Sequence, residues 1–229
     1  MAGQKAFVRF DLHQRIQHIT LLITFVLLAF TGLPIKFANS SISHWIVSLF
    51  GGVDNLLSVH MIMAALLTVV FVYHLLYLIL YPFVTKKKSL AIVPSGKDFV
   101  DVTQDVLYML GLRKERPQFD RYSYKEKFDY WAVFWGVAIM GGSGLLMWLP
   151  QTFTQYMPRW VIDASRYAHT DEAILAVSAI FIWHFFNVHL TPKFFPMSRV
   201  WYKGTLTREE LAEEHPLELK RLEAEDKRH

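Results

Sequence analysis

Histidines carry the chemistry that this sequence can offer, because imidazole is polar, titratable and a common metal ligand. In the stretch Ser58–Leu78, His60 and His74 interrupt an apolar run without a charged residue between Asp54 and Lys86. Their separation corresponds to roughly 21 Å of helix rise and leaves them within about 40° of the same azimuth. Both rings are therefore expected on nearly the same side of one helix.

A second pair with similar spacing lies nearer the C-terminus. His169 and His184 would stand about 22 Å apart along a helix and differ by about 60° in azimuth. His189 lies about 200° around from His169 and faces elsewhere. Asp171 and Glu172 follow His169 directly. They are either acceptors for an imidazole N–H or first-turn acids that complement the helix dipole.

The segments around these histidines are long enough to cross a membrane. Of the 229 residues, 53% are hydrophobic and 19% are charged. Charge-free runs of at least 20 residues cover Ile16–Ile35, Asn55–Thr85, Tyr130–Pro158 and Ala173–Pro192. A helix of that length spans the ~30 Å hydrocarbon core of a bilayer. The sequence therefore predicts an all-α membrane protein, a bundle of four transmembrane helices.

The distribution of Lys and Arg predicts the orientation. The segment from Lys86 to Lys127, which includes Lys86–Lys88, holds ten of them, and both terminal segments also contain several. The other two loops hold few. The positive-inside rule then places both termini and the long middle loop in the cytoplasm of a multi-pass inner (plasma) membrane protein. The net charge of +4 reflects this bias and does not suggest a nucleic-acid partner.

Four of the histidines form two pairs, because the members of each pair are expected at the same depth in the membrane. With this orientation the second and fourth helices run in the same direction, so His60 and His169 share an outer level and His74 and His184 an inner level. Two imidazoles from facing helices can fill both axial positions of a haem iron, which suits electron transfer. Hydrogen bonding between helices is the simpler alternative, but four histidines at matched depths favour haem. Zinc is disfavoured because a structural site takes three or four clustered ligands.

The absence of cysteine restricts the other redox centres. A chain with no Cys has no thiolate-ligated iron–sulfur cluster, no c-type haem attachment and no internal disulfide. If electrons pass through this chain, their carriers must be ligated by other side chains or belong to a partner.

Shorter helices are predicted between and after the long ones. HWIVSLF, which begins at His44, is expected to form an interfacial helix. Ser95 and Asp98 fit a capping box. The residues that follow are expected to form a helix at the inner surface of the membrane, where a partner could also dock. Its apolar stripe comprises Phe99, Val102, Val106 and Leu110.

Two further segments complete the sequence-based expectations. In the polar tail, Thr207–Glu210 fits a capping box for a helix that ends near His215, and His215 and His229 are expected to be solvated. In the third long helix, small residues either permit close helix packing or make room for a flat macrocycle; they are Gly136, Gly141, Gly142, Ser143 and Gly144.

Several motifs carry a family resemblance. RFDLHQRIQH leads into the first helix, YSYKEKFDYWAVFW leads into the third, and EEHP lies in the tail. Together with His60, His169 and His184, they resemble the cytochrome b subunits of respiratory oxidoreductases, of the formate dehydrogenase gamma-subunit and hydrogenase type. The resemblance implies a four-helix dihaem protein that exchanges electrons with a membrane quinone and with an iron–sulfur or multihaem cytochrome subunit.

The resemblance leaves the inner haem ligands open. In the formate dehydrogenase type the ligands match His18, His60, His169 and the inner histidine of helix four, whereas His74 instead resembles bc-type cytochromes. The inner haem is held by His74 and His184, with His18 spare or near quinone, or it is held by His18 and His184. A third haem between His18 and His189 is the remaining alternative. We expect the first arrangement, with two haems b.

The predicted function is electron transfer across the membrane between a partner redox subunit and the quinone pool, by a subunit that is not catalytic alone. Residues 1–202 would form the transmembrane cytochrome b domain and residues 203–229 a cytoplasmic tail. The alternatives are a cofactor-free membrane anchor and a self-contained transmembrane reductase.

Overall fold

The structure, a computed structural model, describes residues 6–85, 90–191 and 194–227. The basic triplet Lys86–Lys88 and His229 lie outside the described residues. The elements run, in chain order, β1 (Ala6–Val8), α1 (Leu12–Lys36), α2 (Ser41–Leu49), α3 (Val53–Thr85), a 3-10 turn (Leu90–Ile92), α4 (Gly96–Met109), α5 (Tyr124–Trp148), α6 (Pro150–Phe153), α7 (Trp160–Ala179), a π-helical segment (Ile180–His184), α8 (Phe185–Val188), α9 (Val200–Lys203), β2 (Thr205–Thr207), α10 (Arg208–Glu214) and α11 (Pro216–Asp226).

Within the described residues, four helices are long and apolar enough to cross a membrane, at Leu12–Lys36, Val53–Tyr81, Tyr124–Trp148 and Trp160–Val188. The predicted all-α bundle of four spans is confirmed. Their ends differ from the charge-free runs, since polar residues extend a helix beyond the apolar core without penalty in the headgroup region. Helix α1 also contains Pro34 and ends at Lys36, one residue past the charge-free run.

The shorter helices follow the sequence signals. Ser40 caps α2, its side chain accepting from the Ser43 N–H. The predicted capping boxes are both present, Ser95 with Asp98 at the start of α4 and Thr207 with Glu210 at the start of α10. These local hydrogen bonds satisfy helix N–H groups that have no partner within the helix.

The chain forms two compact units. One unit comprises residues 16–77 and 133–198 and holds most of the four long helices. The other comprises residues 1–15, 78–132 and 199–229; we call it the terminal unit. Three segments far apart in sequence therefore fold together in the terminal unit.

A short sheet and an apolar cluster join the chain ends in the terminal unit. Strands β1 and β2 pair antiparallel, with Phe7 opposite Leu206. Leu206, Leu211 and Leu219 are buried against Phe7. Gly204, which precedes β2, has φ 78°, and a Cβ there would lie 2.5 Å from the Phe10 carbonyl oxygen. Both facts require glycine at this turn.

A buried ionic network completes the terminal unit. Arg9 and Glu218 are 3% and 2% exposed, and Arg9 Nη1 donates to Glu218 Oε2 at 2.8 Å. Arg9 Nη2 donates to Glu126 Oε1 at 2.8 Å, and Arg121 Nη1 donates to Glu218 Oε1 at 2.7 Å. One network thus connects the N-terminal segment, the middle of the chain and the tail.

The expectation that His215 is solvated is wrong, because it is 3% exposed. Its Nδ1 donates to the Asp120 carbonyl oxygen at 2.7 Å, and Nε2 lies 3.2 Å from Arg9 Nη2. Burial lowers the pKa of His215, against the opposing effect of the Glu126 carboxylate. A neutral ring therefore accepts from Arg9 at Nε2.

Removing Arg9 is expected to destabilise the terminal unit strongly. In Arg9→Met the Glu218 carboxylate stays buried without one of its two close guanidinium partners, a loss of about 3–5 kcal/mol in the free energy of unfolding. The matched control is Arg208→Met, whose ion pair with Glu223 is 60% and 39% exposed and is worth about 0–1 kcal/mol. Thermal unfolding of both variants in detergent measures the difference. Equal stabilities would contradict the structural role of the network.

Candidate haem-binding site

The outer histidines meet as the sequence predicts. His60 on α3 and His169 on α7 have ring centroids 6.3 Å apart, with an interplanar angle of 64°. A metal ion sits about 2 Å from an imidazole nitrogen, so two rings that share one ion have centroids roughly 6 Å apart. This spacing fits one iron between the two rings.

Each outer ring is held through its Nδ1. His60 Nδ1 lies 2.9 Å from Thr31 Oγ1, and this hydroxyl donates to the Leu27 carbonyl oxygen. His169 Nδ1 lies 3.1 Å from the Met140 carbonyl oxygen and 3.1 Å from Ser143 Oγ. A carbonyl only accepts, so His169 carries its proton on Nδ1, and Thr31 favours the same tautomer in His60. Each Nε2 then offers its lone pair to a metal.

A hydroxyl–glycine pair lies against each outer ring. A Cβ on Gly32 would lie 3.0 Å from Cε1 of His60, and one on Gly144 would lie 3.2 Å from Cε1 of His169. Two such pairs are present, Thr31-Gly32 on α1 and Ser143-Gly144 on α5. In each pair the hydroxyl orients the histidine ring and the glycine leaves space for it. The sequence interpretation missed this role of Thr31 and Ser143, although a hydroxyl residue followed by glycine is visible at both positions.

The acids after His169 have other neighbours. Lys36 Nζ donates to Asp171 Oδ1 at 2.6 Å. A Cβ on Gly136 would lie 3.1 Å from Glu172 Oε1. Because α7 begins at Trp160, both acids are inside the helix, and the interpretation as first-turn acids is wrong. The hydrogen-bond partners that the structure gives to His169 Nδ1 lie on α5 instead.

On the inner level, His18 on α1 meets His184. Their ring centroids are 6.4 Å apart, with an interplanar angle of 34°, nearly the same spacing as in the outer pair. His189 lies beside them, with its ring centroid 6.0 Å from that of His184. His74 Nδ1 lies 2.7 Å from Oε1 of Gln17, a residue that is 8% exposed and that the sequence interpretation did not single out.

A π-helical segment positions His184. It spans Ile180–His184, and the Phe185 N–H donates to the Ile180 carbonyl oxygen, five residues earlier. Such segments insert extra chain into a helix and are frequent at functional sites. The azimuth of His184 relative to His169 therefore departs from that of a regular helix, which redirects its ring.

The number of protein ligands decides what kind of metal centre fits. Within the described ranges, no three His, Asp or Glu side chains are grouped so as to hold a bare ion. Each pair offers two imidazoles. Two nitrogen donors are too few for zinc, but they would be enough for a haem, whose macrocycle supplies the remaining iron ligands.

Comparison with known proteins agrees with this chemistry. A family model described as prokaryotic cytochrome b561 matches residues 9–197. The chain belongs to the prokaryotic cytochrome b561 family. It is an integral membrane cytochrome b, a haem-binding protein of electron transport. No curated protein matches it.

In this cytochrome, Gly144 offers a test of the outer site. The valine side chain of Gly144→Val would enter the space of the His169 ring, so we expect loss of haem from that site, up to one haem per chain. Gly142→Val is the matched control, because a Cβ there meets nothing within 4 Å. Haem per chain, measured as the pyridine haemochrome, distinguishes the two. Equal haem contents would contradict the close packing.

Proposed function

We propose that this cytochrome b is the membrane subunit of a respiratory oxidoreductase complex and carries electrons across the membrane between a partner redox subunit and the quinone pool. The observation that supports it most is the presence of two histidine pairs with ring spacings of 6.3 and 6.4 Å. Sites at two levels of one bundle are what a path across a bilayer requires.

The proposed axial ligands are His60 and His169 for the outer haem b and His18 and His184 for the inner one. For the inner haem, the ring spacing supports His18 over His74, which hydrogen-bonds Gln17. His189, beside His184, is the remaining candidate and would serve a third haem. Two haems account for both close pairs without it.

The side chains around the outer pair keep the ligands ready for iron. Haem supplies reversible one-electron chemistry at its iron. Thr31 and Met140 hold the Nδ1 protons of His60 and His169 and so direct both Nε2 atoms inward. If both imidazoles ligated the iron, no position would remain for water or oxygen, which would favour electron transfer over oxygen binding.

The proposed partner subunit would carry redox centres that this chain does not ligate. With no cysteine, this chain cannot ligate an iron–sulfur cluster through thiolates. We therefore propose an iron–sulfur or multihaem cytochrome subunit as the partner, as in the formate dehydrogenase and hydrogenase type. A quinone in the bilayer would be the other exchange partner.

The terminal unit supports the proposed orientation. Residues 1–15, 78–132 and 199–229 form one compact unit, and the Arg9 network connects all three segments. Segments that pack together lie on one side of the membrane. Their Lys and Arg content favours the cytoplasm for both termini, with residues 1–202 as the cytochrome domain and 203–229 as its cytoplasmic tail.

Quinol-driven reduction tests the quinone link. Oxidised cytochrome in lipid vesicles is mixed with a short-chain quinol, and we expect the α-band of reduced haem b to appear. Reduction by dithionite but not by quinol would overturn the link to the quinone pool. Chain purified under mild conditions from its own membrane should carry a redox subunit, and its absence would favour the self-contained reductase.

A further inference from the structure

Helix α4 presents its apolar side chains outward. Phe99 is 77% exposed, Met109 64% and Leu110 66%. With Val102 and Val106 they form one arc of the helix, because these positions recur every three or four residues. We call this arc the α4 apolar face.

The opposite face of α4 is acidic and buried. Asp101 and Asp105 are 5% and 3% exposed. Lys97 pairs with Asp101, and Lys125 Nζ lies 2.9 Å from Asp105 Oδ2. Burial alone would raise the pKa of Asp105, but hydrogen bonds from Lys125 and Tyr124 lower it below its ordinary value. Helix α4 therefore packs on its own protein through charges, the reverse of a surface helix in a soluble domain.

These ion pairs bind α4 to the start of a transmembrane helix. Tyr124 donates to Asp105, and Lys127 Nζ lies 2.9 Å from Asp98 Oδ2. Both partners belong to the first turns of α5, which begins the span Tyr124–Trp148. Helix α4 is thus held beside the point where α5 enters the membrane.

Length and charge exclude a transmembrane position for α4. Its 14 residues extend roughly 21 Å, less than the ~30 Å hydrocarbon core. Its charged side chains also disfavour the bilayer interior. An amphipathic helix of this kind lies in the membrane plane, with its apolar face in the boundary between headgroups and acyl chains.

Basic residues follow the helix directly. Arg113 and Lys114 are exposed, as is Glu115, on the stretch that leads from α4 back to α5, whereas Arg116 lies over the Tyr108 ring. Cations at this level are attracted to anionic headgroups. The exposed apolar end of α4 at Leu110 is thus followed closely by two positive charges, Arg113 and Lys114.

We propose that α4 is an in-plane membrane helix whose apolar face is embedded in the anionic leaflet at the end of the bundle where α5 begins. The leaflet covers the apolar side chains, and the ion pairs to α5 fix the depth and rotation of the helix.

The cysteine-free chain permits a direct test by spin labelling. Phe99→Cys and Leu110→Cys place a label on the α4 apolar face, and the protein is reconstituted in vesicles of phosphatidylcholine and phosphatidylglycerol. Val69→Cys on α3 is the lipid control, since Val69 is 65% exposed in the middle of a span. Glu225→Cys on α11 is the aqueous control.

Accessibility to oxygen and to a water-soluble nickel chelate gives the depth of each label. We expect the Phe99 and Leu110 labels to favour oxygen, as at Val69. Preference for the nickel chelate, as at Glu225, would overturn the proposal. Protection from both reagents would also overturn it, because a protein contact would then cover the face.

Lipid composition tests the electrostatic part. Replacing phosphatidylglycerol by phosphatidylcholine should move both α4 labels toward the nickel chelate and leave Val69→Cys unchanged. Adding Arg113→Gln and Lys114→Gln should abolish this dependence. Equal depths in both lipids would refute the preference for an anionic leaflet.

Discussion

His60→Ala is expected to remove one haem of two. The substitution deletes one imidazole of a pair whose centroids are 6.3 Å apart, and His169 alone would leave the iron with an open axial position. The inner pair is unaffected, so about half of the α-band should persist. His169→Ala should give the same result, because both residues serve one site. Haem per chain and the reduced-minus-oxidised spectrum measure the effect.

Two controls separate ligand loss from misfolding. His44→Ala removes an exposed histidine on α2 and should keep both haems. Free imidazole, supplied while haem is loaded into His60→Ala, should occupy the vacated space and restore the second haem. Failure of His60→Ala to lose haem would eliminate the outer site as proposed.

His184→Ala is expected to remove the inner haem, with an effect as large as that of His60→Ala. His184 lies at the end of the π-helical segment, 6.4 Å from His18 and 6.0 Å from His189 by ring centroids. Of these three histidines, His184 is the one whose ring lies close to both of the others. The α-band that remains should be the one lost in His60→Ala.

His189→Ala is the matched comparison for His184→Ala, because it removes a nearby histidine that caps the C-terminal end of the same helix. We expect two haems per chain in this variant. A loss of one haem in His189→Ala would support a third site, and retention of both haems in His184→Ala would contradict the proposed inner pair.

The number and type of long helices were predictable because bilayer thickness sets their length. Charge-free runs therefore located all four spans. Their ends were less predictable, since α7 begins at Trp160, before the run that starts at Ala173. Asp171 is accommodated inside that helix by Lys36, a contact with a distant part of the chain.

The pairing of the histidines was only partly predictable. Depth along a helix follows from residue number, so His60 and His169 could be matched from spacing alone. Helix rotation does not follow in the same way. The π-helical segment alters the azimuth of His184, and the Gln17 side chain hydrogen-bonds His74. Residue spacing predicts neither feature.

Long-range polar contacts were the least predictable feature. His215 looks like a tail residue next to Pro216, yet it is buried between Arg9 and the Asp120 carbonyl. Likewise the apolar stripe of α4 was visible in the sequence, but the buried acidic face and its ion pairs to α5 required the fold.

The haem-to-protein ratio of His18→Ala and His74→Ala tests most directly how this chain holds its cofactors. Both substitutions remove one imidazole from the inner level of the bundle, so nonspecific damage should be similar. The proposed ligand set predicts one haem per chain in His18→Ala and two in His74→Ala. Two haems in His18→Ala together with one in His74→Ala would contradict it and assign the inner iron to His74 and His184.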